Sequence, residues 1–78
     1  MPAADFREKL FKRARKETGL ADFERNCRRI VRGVTGRRTK ALAVPGTPER
    51  AEFLRLSELA QRRYRQLVDE AKRHGLLA

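Results

Sequence analysis

The sequence predicts a small all-α domain of three helices: a short helix, a second short helix and a long C-terminal helix. Apolar residues recur at helical spacing in three stretches, and residues typical of helix starts and stops flank those stretches. The 78 residues are 40% hydrophobic and 38% charged, which suits one small core of marginal size. We therefore expect residues 1–78 to form a single helical domain.

The first helix is predicted over residues 5–18. Asp5, followed by Glu8, is typical of a capping box. Apolar residues then recur with the helical period: Phe6, Leu10, Phe11 and Ala14. Gly19 is expected to end this helix, because glycine readily adopts the left-handed conformation found after helix C-termini. One continuous helix over residues 5–34 is the alternative, since an internal glycine costs only about 1 kcal/mol.

The second helix is predicted over residues 22–34, where two faces separate. One face is apolar: Phe23, Cys27, Ile30, Val31 and Val34. The opposite face is basic: Arg25, Arg28, Arg29 and Arg32. Cys27 lies among apolar residues and is expected to be a small buried hydrophobe.

An irregular basic loop is predicted over residues 35–46, and a long helix over residues 48–74. Thr47 and Pro48 suit the N-cap and first helical position, while Gly75 suits the C-terminal stop. Apolar residues form one stripe along this helix: Phe53, Leu56, Ala60, Tyr64, Leu67, Val68 and Ala71. The helix spans about 40 Å, more than two short helices cover, so a homodimer through helix three is predicted.

Positive charge is concentrated between residues 25 and 40, where no acidic residue occurs. This segment holds seven basic residues of a chain whose net charge is +10, and a localised positive field selects a polyanionic partner. Like charges at helical spacing also repel by a few tenths of a kcal/mol per pair, which a bound anion relieves. The predicted nucleic-acid-binding residues are Arg25, Arg28, Arg29, Arg32, Arg37, Arg38 and Lys40.

These observations predict a non-catalytic nucleic-acid-binding protein that contacts the phosphate backbone through the arginine-rich helix face and the adjoining Gly/Arg loop. Duplex DNA is slightly favoured over structured RNA, because the sequence lacks an exposed aromatic series for stacking bases. The main alternative is a small basic adaptor or inhibitor that binds an acidic protein surface. A helix-turn-helix variant and an amphipathic helix lying on a membrane surface are weaker alternatives.

The sequence gives no reason to expect catalysis. It has no nucleophile paired with a base, and one Cys with one His is too few for a metal site. We expect no catalytic residue, no metal and no cofactor. No apolar run approaches the ~18 residues of a membrane span. The single cysteine cannot form an internal disulfide, which favours the cytoplasm.

Overall fold

The computed structural model describes residues 3–33 and 35–77, and the described chain is mostly helical. Its elements in chain order are α1 (Ala3–Glu17), α2 (Leu20–Asn26), β1 (Ile30–Arg32), β2 (Arg38–Lys40) and α3 (Pro48–Arg73). A one-turn 3-10 helix, Ala41–Ala43, precedes α3. With 68% of the described residues helical, the predicted class is right in part. The term all-α overstates the helical character of the fold, because β1 and β2 pair as a small antiparallel sheet.

Helix α1 begins at Ala3, two residues before the predicted start, and ends at Glu17. Asp5 therefore lies in the first turn instead of at the N-cap, where its charge still favours the positive end of the helix dipole. Gly19 has a φ of 84°, a value that L-residues adopt at a steric cost. The chain turns there before α2 begins at Leu20, so the alternative of one continuous helix is wrong.

Helix α2 ends at Asn26, and the predicted helix over residues 22–34 is wrong for residues 27–33. Val34, predicted for its apolar face, lies outside the described residues. Cys27 has extended backbone angles and donates its N–H to the Phe23 carbonyl, which closes the last helical turn. It is buried, as predicted. Ile30 and Val31 are β-branched and lie in β1, because such side chains fit a pleated strand better than a helix.

Helix α3 follows the sequence prediction closely. The Thr47 hydroxyl accepts the Arg50 N–H at 3.1 Å as an N-cap, and Pro48 is the first helical residue. The helix ends at Arg73, one residue earlier than predicted. Gly75 has a φ of 74°, and the next residue, Leu76, donates its N–H to the Ala71 carbonyl at 2.8 Å. This is a Schellman ending that satisfies carbonyls of the last turn.

The core lies along α3 in two clusters. Residues of α1 pack on the C-terminal half of α3: Leu10 and Ala14 with Leu67, Val68, Ala71 and Leu77. Leu20 of α2 packs on the N-terminal half with Leu56 and Ala60. The predicted α3 stripe is thus buried or half-buried within one chain, which removes our reason for expecting a homodimer through helix three. That dimer stays a prediction without structural support.

The molecule measures 50 × 21 × 19 Å, with α3 along much of its length. β1 and β2 contact mainly each other, and the turn that follows them packs at the N-terminal end of α3. The sheet therefore occupies one end of the molecule. In the described ranges, no helix has both the length and the apolarity needed to cross a membrane.

Candidate nucleic-acid interface

The basic segment contains a β-hairpin, which we call the basic hairpin: β1, β2 and the described residues between them, 33 and 35–37. Val31 is opposite Thr39, and Arg32 is opposite Arg38. The Gly33 N–H donates to the Arg37 carbonyl at 2.9 Å and extends the pairing toward the turn. Arg32 and Arg38, six residues apart in the sequence, are thereby brought opposite each other.

The register places Arg32 and Arg38 at a position where the strands approach closely. Backbone hydrogen bonds join residue 33 to 37 and residue 41 to 29. Opposite pairs in an antiparallel ladder alternate between hydrogen-bonded and non-hydrogen-bonded. The 31–39 pair is therefore hydrogen-bonded and the 32–38 pair is not. Cα atoms of such non-hydrogen-bonded pairs are about 4.5 Å apart. Arg32 and Arg38 are therefore like charges directly opposite each other on one face, an arrangement that destabilises a sheet by a fraction of a kcal/mol.

Arg32 and Arg38 share their face with the other non-hydrogen-bonded pair, Ile30 and Lys40. We call these four residues the outer face, because all of them are exposed. Ile30 is 58% exposed, which is unusual for a β-branched residue in a sheet. The outer face thus combines three cations with one apolar side chain.

The residues that flank the hairpin on either side, Arg29 and Ala41, hold it to the helices. Ala41 is fully buried, and its carbonyl accepts the Thr47 hydroxyl at 2.6 Å. Arg29 donates two hydrogen bonds to the Glu49 carboxylate, at 2.7 and 2.8 Å. The Arg29 guanidinium, helped by the Glu49 backbone N–H, lowers the pKa of that carboxyl to about 2. Glu49 in turn raises the pKa of Arg29.

The structure divides the seven predicted site residues into two groups. Arg25 pairs with Asp22 at 2.6 Å and Arg29 pairs with Glu49, so both have partners within the molecule. The other five are exposed and form no ion pair with any carboxylate of residues 3–33 and 35–77: Arg28, Arg32, Arg37, Arg38 and Lys40. The predicted arginine-rich helix face is wrong, because Arg25 lies in α2, Arg28 and Arg29 follow it, and Arg32 lies in β1.

Acidic residues that lack an ion pair lie at the other end of the molecule. Within the described part of the chain, Asp5, Asp69 and Glu70 pair with no Lys or Arg. Asp5 is in the first turn of α1, which packs beside the C-terminal half of α3, where Asp69 and Glu70 lie. Asp22 and Glu49 pair with Arg25 and Arg29, the basic residues that precede the hairpin. Arg32, Arg38 and Lys40 of the hairpin therefore keep their positive charge without a described ion-pair partner.

Sequence reasoning missed the pairing of the basic residues and the exposure of Ile30. The signal was present: two short runs rich in β-branched residues, IVR and RTK, are separated by five residues that include two glycines, which is typical of a hairpin. A Cβ at Gly33 would lie 3.3 Å from the Thr39 hydroxyl, so a larger residue there requires the exposed Thr39 side chain to shift slightly.

The sequence matches no protein-family model, and searches among curated proteins and solved structures find no match either.

Proposed function

We propose that this protein binds nucleic acid without catalysis and that the basic hairpin contacts the phosphate backbone. The observation that carries the proposal is the Arg32–Arg38 pair, with Lys40 beside it on the outer face and no described carboxylate paired with any of the three. Guanidinium groups bind phosphate with two parallel hydrogen bonds. The negative charge of a nearby phosphate backbone relieves the repulsion that the fold leaves in place.

Duplex DNA is the favoured polymer, with structured RNA second. Single-stranded RNA and DNA are read largely by stacking bases on exposed aromatic rings. All five aromatic residues of the chain lie outside the basic hairpin, and Phe11 and Tyr64 pack edge-to-face where α1 meets α3. The hairpin instead offers charge and backbone donors, which suit the regular phosphates of a duplex.

The proposal is tested by NMR chemical-shift mapping with a DNA duplex, a structured RNA and heparin as a polyanion control. We expect the largest shifts at backbone amides of residues 28–40 with the DNA duplex, and small shifts in the C-terminal half of α3. Shifts spread evenly over the exposed basic residues, or no shifts with either nucleic acid at low salt, would refute it.

The second candidate function is an adaptor or inhibitor that binds an acidic protein surface, and Ile30 is the observation that favours it. An exposed aliphatic side chain surrounded by Arg32, Arg38 and Lys40 resembles the apolar centre of a protein interface more than a phosphate site. Ile30→Ser separates the two candidates. Backbone binding to DNA is expected to change less than threefold, whereas docking on a protein that buries Ile30 is expected to weaken at least tenfold.

A further inference from the structure

We infer that the basic hairpin enters the major groove of B-form DNA with its outer face toward the base pairs, and that Arg32 and Arg38 contact guanine. This inference rests on the proposed function and specifies both the form of the duplex and the groove. It follows from the width of the hairpin, from the direction of its free backbone groups and from the side chains of its outer face.

The width of the hairpin suits one groove. Paired strands lie about 4.8 Å apart, and the major groove of B-DNA, about 12 Å wide and 8.5 Å deep, admits a two-stranded ribbon. The major groove of A-form RNA is deep and too narrow for side chains to read. β1 and β2 are the edges of a two-stranded sheet, and their principal contact is with each other. The ribbon is thus free to enter a groove.

The free backbone groups of the hairpin point toward the walls of such a groove. Arg32 and Arg38 form a non-hydrogen-bonded pair, so their backbone N–H groups point away from the partner strand, one along each edge. In the groove, each N–H faces one sugar–phosphate wall and is a donor for a phosphate oxygen. Both walls are contacted without using the side chains of the outer face.

The side chains of the outer face then meet the base edges. Arginine donates two parallel hydrogen bonds to the O6 and N7 acceptors of guanine, which is the commonest specific contact in the major groove. The Cα atoms of Arg32 and Arg38 are about 4.5 Å apart, close to the roughly 3.4 Å rise between stacked base pairs, so the two residues reach guanines of neighbouring base pairs. Ile30 beside them is exposed and apolar, as contact with a thymine methyl group requires.

The test compares a G·C-rich DNA duplex with the same duplex containing 7-deazaguanine, which lacks the N7 acceptor but keeps base pairing and charge. We expect the wild-type protein to bind the substituted duplex at least tenfold more weakly. For the Arg32→Ala/Arg38→Ala variant, we expect the ratio of the two affinities to approach one. For Arg65→Ala/Arg73→Ala, which removes two exposed cations from α3, we expect the wild-type ratio. An RNA duplex of the same sequence is expected to bind at least tenfold more weakly than the DNA.

The outcomes distinguish this inference from the proposed function. Equal binding of the normal and substituted DNA duplexes by the wild-type protein would overturn the groove assignment and leave backbone binding standing. Binding of the RNA duplex as tightly as the normal DNA duplex would also overturn the groove assignment and leave backbone binding standing. If none of the three duplexes binds at 50 mM salt, both the inference and the proposed function fail.

Discussion

The salt dependence of DNA binding is the sharpest test of the division between paired and unpaired cations. A protein that neutralises Z phosphates of B-DNA shows a slope of log K against log salt of about −0.9Z. The five basic residues without a described ion-pair partner give a slope of about −4.5. If all seven predicted residues released counterions, the slope would be about −6.3.

A cation that enters the groove displaces counterions whether it contacts a phosphate or a base edge, so removing Arg32 and Arg38 together reduces the expected slope to about −2.7. Between 50 and 200 mM salt, the wild-type affinity then falls by roughly 500-fold and the affinity of the variant by roughly 40-fold. Fluorescence anisotropy of a labelled duplex, titrated at four salt concentrations, measures both slopes. Circular dichroism verifies that the helices remain.

The matched control is Arg65→Ala/Arg73→Ala. Both residues are exposed in the C-terminal half of α3 and pair with no described carboxylate, and Arg65 lies about 25 Å along the helix axis from Pro48. Each double variant lowers the net charge from +10 to +8. We expect the control slope to remain within about 0.5 of the wild-type slope. Equal reductions in both variants would show that total charge, and not the hairpin, governs binding, and would refute the reasoning.

Three further predictions concern stability. Thr47→Ala is expected to lower the free energy of unfolding by about 1–2 kcal/mol in urea titrations. Thr47→Ser keeps the capping hydroxyl and is expected to stay close to wild type. An unchanged urea midpoint for the alanine variant would contradict the capping role. The pKa of Glu49, lowered to about 2, means that this carboxylate stabilises the fold above pH 4.5 and that its contribution is lost as the pH falls toward 2. The Tm of Glu49→Gln should therefore decrease less than that of the wild type between pH 4.5 and pH 2. An identical decrease in both proteins would contradict the stabilising role of the Glu49 carboxylate. Leu67→Ala, at a residue 2% exposed, should cost about 2–5 kcal/mol, whereas Leu76→Ala, at a residue 65% exposed, should cost much less; similar losses would contradict the assigned core.

The helices were predictable where the periodic pattern was long and the ends were marked. Helix α3 has 26 residues, a Thr-Pro start and a Gly stop, and its bounds followed from the sequence to within one residue. Residues 27–33 were mispredicted because their apolar spacing also fits a helix. Strands of three residues are too short to show a clear period of two, so β-branched composition and the two glycines were the only local signals.

The candidate site was predictable in composition but not in geometry. The charge run identified the basic residues, and the Asp22–Arg25 pair is close enough in sequence to have been expected at helical spacing. The partner of Arg29 is Glu49, twenty residues away, and only the turn at residues 41–47 brings them together. The opposition of Arg32 and Arg38 likewise depends on a register that the turn sets.

The two free edges of the hairpin have a consequence for the behaviour of the protein at high concentration. An unpaired strand edge is a template for strands of other molecules, and natural sheets prevent such self-association by placing charge there. Arg32, Arg38 and Lys40 supply that charge, so the side chains that we propose contact a polyanion are also expected to keep copies of the protein from adding to one another's sheets. Their mutual repulsion, costly to the isolated fold, protects it from aggregation.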